Sequence, residues 1–413
     1  MNPIPHRVRR PVLVLASVAA ATAALTAAVT TTAGAESATL SPTGSVVVTL
    51  RGNGHGHGMS QYGARGAAAK GLRYDKILAF YYPGTTLTTI APSTIRVRLS
   101  GFSNALTVAA NSGLKATGFS GPLTTTGISQ YRFVPYGTSF ALQQLAAKAG
   151  STWRTLRTDL GNGATFGRTG NAPTRVFRAD GSSVRYLGVI KATRSGAGAY
   201  PVNRVSLDDY TAGVVPSEMP TSWQAQAVNA QAVAARSYGR YAVENEPKKY
   251  YDICDTTQCQ VYNGRTQYDR AGRTVGNDYQ PAAVATANRV LRYQGKTVFA
   301  QFSASNGGYI ADGGKPYLRA KSDPYDAGAP GNPYLNYTRK VGVSSLAAEY
   351  GFGKLTGIAI NGRDGGGSWG GRVTSARLTG TDKAGRAKSV TVTGYSLQWA
   401  FGAGTTLFTV RRG

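Results

Sequence analysis

The chain has 413 residues, of which 41% are hydrophobic and 16% charged, a balance that excludes a disordered polymer. Fifty-three glycines without a three-residue period exclude collagen and point to loop-rich structure containing β-strands. Forty-six basic residues against 19 acidic ones give a formal charge of +27, which favours a polyanionic partner: nucleic acid, anionic lipid or an acidic cell wall.

The first segment bears on the compartment. His6, Arg7, Arg9 and Arg10 precede an apolar run from Val12 to Val29, and Ala33-Gly34-Ala35 then offers a small-residue cleavage site before Glu36. This is the pattern of a secretory signal over residues 1–35. The run is also long enough to stay as an N-terminal membrane anchor, and that alternative is open. Arg9-Arg10 leaves the export route open between the general and the twin-arginine pathways. Cleavage would remove only three basic residues, so the exported chain stays strongly basic. Export points away from nucleic acid and toward anionic wall polymers, on or outside the cell.

Elements follow in chain order. Ser45 to Leu50 reads as a strand, and Arg51 to Gly58 as a glycine-rich loop carrying His55 and His57. Ser60 to Lys70 is alanine-rich and predicts a helix stopping at Gly71; Tyr74 to Tyr82 predicts a second, ended by Pro83-Gly84. Residues 92–184 change character. Runs such as Ile95–Leu99, Tyr131–Val134, Arg175–Arg178 and Val184–Ile190 predict strands, with one helix near Phe140–Lys148. Ala199 to Val205 adds a strand. Leu207 to Val215 then predicts a helix stopping near Pro216, and Trp223 to Val243 a longer one capped by Thr221 or Ser222. Ala227, Val228, Gln231, Ala235 and Tyr238 share one face of it. Pro281–Arg289 is a short helix, Val290–Ser303 a hairpin turning at Gln294-Gly295, and residues 341–413 a glycine-rich tail ending in a strand.

Glu218 falls in the corner between the two central helices, in Val-Val-Pro-Ser-Glu-Met-Pro. A carboxyl among Val214, Val215, Met219 and Pro220 is partly desolvated, which raises its pKa. A carboxylic acid kept protonated near neutrality can protonate a leaving glycosidic oxygen. The plainer reading is a helix N-terminal residue beside the positive dipole end. Cys254 and Cys259 suit a short-loop disulfide in an oxidising compartment. Zinc and free thiols are the alternatives, but zinc wants three or four ligands and no histidine flanks the pair.

Leu207–Pro220, followed by Gln-Ala-Val-Asn-Ala-Gln-Ala-Val-Ala-Ala-Arg-Ser-Tyr, closely resembles the SpoIID/LytB family of sporulation stage II D proteins and amidase enhancers. Asp255–Tyr262, Phe302–Gly308 with Pro316–Leu318, and Gly54–Ala64 with Ile77–Gly84 are similar to further blocks of that family. The resemblance covers roughly residues 50–85 and 185–335. Three departures stand out. The Gly-His-Gly-x-Gly-Met-Ser-Gln block precedes the Ser-Glu-Met-Pro block here instead of following it, an order that requires the two to meet in space. Asn229 stands where lysine is frequent. The histidine with which some members bind zinc near the cysteine loop is absent, which supports the disulfide.

The resemblance implies an α+β fold. Its core of packed helices and antiparallel strands would comprise residues 36–91 and 185–340, with a β-rich insert at 92–184 and a C-terminal region at 341–413. It implies a lytic transglycosylase acting on peptide-stripped peptidoglycan glycan strands, with Glu218 as the single acid and base and 1,6-anhydro-MurNAc as product. Arg236 matches a family arginine. It would lie on the order of 20 Å from Glu218 along a straight helix, where it contacts a neighbouring sugar or holds the fold. His55 and His57 line the sugar site, make a structural turn, or bind metal. Gln61 and Ser60 hydrogen-bond sugars, or Ser60 caps its helix. Ser303, Ser305 and Asn306 line the substrate or form a turn. Tyr262 and Tyr317 are candidates for stacking under sugar rings. No cofactor and no metal is expected. The family also contains non-catalytic enhancers that act with a cell-wall amidase, and this is the second reading; a structural adhesin is a third.

Overall fold

The structure is a computed structural model and describes residues 36–413 apart from 103, 149–151, 196–197, 246–249 and 278–280. The signal or anchor segment lies outside the described residues. Among the described residues no helix is long and apolar enough to cross a membrane. The fold is α+β, with helices packed beside several mainly antiparallel sheets.

Helix α1 (Gln61–Ala69) starts at Ser60, whose hydroxyl accepts from the Gly63 amide at 2.9 Å. Ser60 is therefore its capping residue. Helix α2 (Tyr74–Tyr81) follows. Helix α3 (Leu207–Glu218) starts at Ser206, which accepts from Asp209 N–H and donates to the Asp209 carboxylate. It passes through Pro216, because Met219 N–H still reaches Val215 C=O at 2.9 Å. The helix therefore extends to Glu218 instead of stopping at the proline. Helix α4 (Ala225–Asn245) starts after Gln224, so neither Thr221 nor Ser222 caps it. Its buried face includes Ala227, Val228, Gln231 and Ala235, and the alanines let α1, α2 and α3 approach closely. Helix α5 (Pro281–Ala285) packs against both α3 and α4.

Two large sheets form the main β layer. One has six strands, with Thr94–Arg98 and Gly198–Ser206 near its middle and Ile253–Cys254 at one edge. The other has eight strands, running from Trp153–Arg157 to Thr274–Asn277. Their inward residues, including Val97, Phe133, Phe140, Phe166 and Val205, share a core with Leu207, Tyr210 and Val214 of α3. This contact seats α3 on the sheets. The helix expected near Phe140–Lys148 is instead the strand Ser139–Ala146, paired with Ile128–Tyr136 on one side and Trp153–Arg157 on the other. Alanine, leucine and glutamine favour a helix locally, but two ladders outweigh that weak preference. The hairpin at Gln294-Gly295 forms as expected, with both residues at positive φ.

The first and last described segments share one core. Ser45–Leu50 lies between Tyr337–Gly342 and Phe408–Arg412, and Glu36–Thr39 edges a sheet of Lys354–Arg363, Val373–Thr381 and Ala387–Thr393. Val46, Val48 and Leu50 pack with Leu355, Ile358, Leu378 and Phe408. Helix α6 (Pro324–Ala327) packs on α1, whereas α7 (Val343–Glu349) and α8 (Gly394–Ala400) belong to this C-terminal module.

Candidate functional site

The glycine-histidine loop and the Ser303 segment meet as neighbouring strands. Met59–Ser60 runs parallel to Phe302–Ser303. Asn53 and Ser305 exchange backbone hydrogen bonds, and His57 bridges Ala311. The glycine-histidine block also meets the Ser-Glu-Met-Pro block, as their order requires, because His55, Gln61 and Glu218 line one cavity. The loop is held from its other side by the C-terminal module: Gly54 N–H donates to Gly404 C=O, and the buried Arg372 guanidinium donates to Gly54 C=O and Thr405. At Gly56 φ is +80°, and a Cβ would run into that guanidinium, so a side chain there has no room.

A cavity of about 510 Å³ opens where these pieces converge with the end of α3. Asn53, His55 and Gln61 come from the first block, and Gln301 and Ser303 from the second. Thr257, Gln258 and Cys259 form another wall, and Tyr238 of α4 and Gly404 complete it. Glu218 is the one carboxylate among the lining residues. It is the last residue of α3 and therefore sits at the negative end of that helix dipole, opposite to the N-terminal placement that its sequence also allowed. Burial raises its pKa, and a hydrogen bond from the Val261 amide at 2.8 Å partly opposes the rise. Val261 is placed by the Cys254–Cys259 disulfide loop, whose Cα atoms are 5.6 Å apart, and by Gln260, which accepts from Tyr210 at 2.8 Å.

His55 accepts from the His57 amide through Nδ1 at 2.9 Å, leaving Nε2 as the protonated nitrogen. Desolvation, then the neighbouring His57 and Arg372, push its pKa down to about 4, so it is neutral at physiological pH. His55 stays exposed to solvent as it lines the concavity. Burial also lowers His57. Ser303 Oγ is buried and finds no protein partner among the described residues. This combination provides one carboxylic acid that can be held protonated, a neutral imidazole, and amide and hydroxyl groups suited to sugar hydroxyls.

Other residues singled out in sequence lie elsewhere. Arg236 is 0% exposed and does not line the cavity. Its guanidinium is used by Asp208 at 2.7 Å, Ala283 C=O at 2.8 Å, Thr286 and Arg289 C=O, so it holds α3, α4 and α5 together instead of touching a sugar. Tyr262 is buried against Tyr186 and Tyr210 and donates to Asn203 at 2.8 Å. Tyr317 is buried in the helical core and accepts from the Phe299 amide. Neither ring has a face free for stacking. Ser305 and Asn306 are fully buried and belong to a polar knot under the loop. Ser60 and Ser305 donate to Asp326 at 2.6 and 3.0 Å, while Asn306 and Tyr81 donate to Asp323 at 2.7 and 2.9 Å. His57 lines an adjoining cavity. Of the expected site residues, Glu218, His55, Gln61 and Ser303 come together.

Asn53, Thr257, Gln258, Gln301 and Gly404 were not anticipated as site residues. Thr257 and Gln258 belong to the cysteine-loop block and Asn53 stands between the first two glycines of the Gly-x-Gly run, so a local signal exists for these three; Gly404 carries none. Among the described residues no group of three or more His, Cys, Asp or Glu side chains is placed to hold a metal ion.

Comparison with known proteins places this geometry in a family context. Residues 195–293 match the family model SpoIID, Stage II sporulation protein. Stage II sporulation protein D of Bacillus amyloliquefaciens is 30% identical over 182 residues, 38% of this chain and 51% of that protein. The amidase enhancer of Bacillus subtilis strain 168 is 37% identical over 120 residues, 28% of this chain and 15% of that protein. An uncharacterized protein of Brachyspira hyodysenteriae is 37% identical over 109 residues, 26% of this chain and 28% of that protein. The chain thus spans about half or less of the length of these relatives. The resemblance to the SpoIID/LytB family is borne out, and Glu218, the cysteine loop and α4 all fall inside the matched segment.

Proposed function

We propose that this chain, which carries a SpoIID segment, is an exported peptidoglycan lytic transglycosylase that cleaves the MurNAc–GlcNAc bond of peptide-stripped glycan strands. The observation that carries the reading is a single desolvated carboxyl, Glu218, in a cavity whose other polar lining groups are neutral. Glycosidases that use water need two carboxylates, one as acid and one as base or nucleophile. An intramolecular closure needs one. Protonated Glu218 gives its proton to the glycosidic oxygen as the C1–O bond breaks. The muramyl 6-hydroxyl oxygen then bonds to C1, and its proton passes to the Glu218 carboxylate, restoring the acid. The products are a free GlcNAc hydroxyl and a 1,6-anhydro-MurNAc end, with no water consumed. The Val261 amide holds the carboxylate while it is charged. The strong positive charge of the chain suits anionic wall polymers, with an attraction that weakens in salt.

The test is mass analysis of peptide-free glycan strands incubated with the mature protein and with Glu218→Gln. Anhydro-muramyl ends made by the wild type and absent with the variant support the assignment. Cleavage that survives the substitution removes Glu218 from the chemistry.

One observation favours a second reading. The matched segment is also similar to a protein named as an amidase enhancer. A non-catalytic wall-binding partner of an amidase would bind the strands, leave them uncut, and raise the rate of an added cell-wall amidase.

A further inference from the structure

A second cavity, of about 560 Å³, shares Gly54 and His55 with the cavity around Glu218. Its other walls come mostly from the C-terminal module, which lies outside the SpoIID match, with Asp364, Arg372, Thr374, Tyr395 and Gln398, and Asp312 adds a second carboxylate. Its size is that of a small-ligand site. His57 faces it as well, and the buried His57 Nδ1 has no protein partner among the described residues.

Tyr395 lines this cavity and forms an aromatic pair with Trp399 on α8. Tyr395, Gln398 and Trp399 are spaced i, i+3 and i+4 and share one helix face. Tyr395 is 61% exposed and Trp399 is 69% exposed, with their rings edge to face at 6.0 Å. The opposite face is fixed. Leu397 is fully buried, Ser396 shares a hydrogen bond with Tyr350, and Thr393 caps the helix. Two large side chains with few rotatable bonds, carried on an anchored helix beside a polar pocket, lose little freedom on binding. A sugar ring matches that mixture, because its C–H face stacks on an aromatic ring while its hydroxyls reach the neighbouring polar groups.

We propose that this second cavity is a glycan-binding subsite, supplied by the C-terminal module, in which the strand held at Glu218 continues past His55 onto Tyr395 and Trp399. The shared lining selects the occupant, since a chain of linked sugars that fills the first cavity and passes Gly54 and His55 meets the second. This inference rests on the reading that the first cavity takes a glycan strand. Its prediction is an affinity that rises with strand length.

The experiment uses the mature chain with Glu218→Gln, which prevents cleavage, and titrates size-fractionated peptide-free glycan strands of four and eight sugars. The longer strand is expected to bind on the order of tenfold more tightly, about 1.4 kcal/mol. Adding Tyr395→Ala with Trp399→Ala removes that gain and leaves the four-sugar affinity unchanged. Thr374→Trp, which fills the cavity from its other wall, repeats the loss and guards against a misfolded α8. The subsite is overturned if both strands bind equally, if neither binds, or if the gain survives these substitutions. The outcome is separable from the catalytic reading. Strand cleavage by the wild type with no length effect sinks the subsite alone, whereas a length effect that depends on Tyr395 and Trp399, without cleavage, keeps the subsite and sinks the lyase.

Discussion

Glu218 and Val261 are joined by a hydrogen bond of 2.8 Å, with the backbone amide donating to the side-chain Oε1. Val261 follows Cys259 by two positions, and the loop closed by Cys254 and Cys259 supplies Thr257 and Gln258 to the same cavity. The cysteine pair therefore acts at a distance on the carboxyl. It sets where the donor stands, and it shapes the wall that a substrate meets.

Replacing Cys254 and Cys259 together by serine is expected to cost about 2 kcal/mol of stability, the loop-closure contribution of a cross-link this short. Activity is expected to fall further than stability, because the amide that holds Glu218 loses its fixed position. Urea unfolding and strand cleavage, each with and without reductant, read the two effects. A variant with full cleavage activity would show that the loop holds its shape without the bond.

The environment of Glu218 also has a pH signature. Its folded-state pKa is raised by burial, so the folded form holds its proton more tightly than the unfolded chain does. The associated stability is present below the ordinary carboxyl value and is lost as pH rises through the raised one. A glutamine in its place never ionises, and the amide oxygen can still accept from Val261. Glu218→Gln is therefore expected to be more stable than the wild type at neutral pH, with the gap closing toward about pH 4. Burial raises Asp323 and Asp326 in the same direction, but both are present in both proteins and cancel in the difference. Denaturant midpoints across that range give the answer, and parallel curves would mean that Glu218 ionises as freely folded as unfolded.

Much of the frame was legible in the residues. Alternation exposed the strand at Ile95–Leu99, alanine content exposed α1 and α4, and apolar neighbours marked Glu218 as a buried carboxyl. What failed was the step from residue type to accessibility. Arg236, Tyr262, Ser305 and Asn306 are the kinds of side chain that meet sugars, and equally the kinds that satisfy one another inside a core. Only the tertiary partners decide, and those are Asp208, Asn203, Asp326 and Asp323. The strand at Ser139–Ala146 failed for a related reason, since its two ladder partners are invisible in a local window. The core shared by the first and last described segments depends on contacts between Val46 or Val48 and Leu378 or Phe408, which no local pattern reveals.

Arg236 offers the clearest separation of a structural from a binding role. Its side chain is wholly buried, while its partner Asp208 is 32% exposed. Removing one member of a buried ion pair costs about 3–5 kcal/mol, and Asp208 can rehydrate once alone, so Arg236→Met is expected near 3 kcal/mol. Lysine would keep the charge but cannot serve Asp208, Ala283 C=O and Thr286 with one planar fork, so Arg236→Lys is expected to lose stability as well. At a temperature where the methionine variant remains folded, its KM for glycan strands should match the wild type. A variant of normal stability with a raised KM would instead place this guanidinium on the substrate, and would require α4 to move far enough to bring it into the cavity.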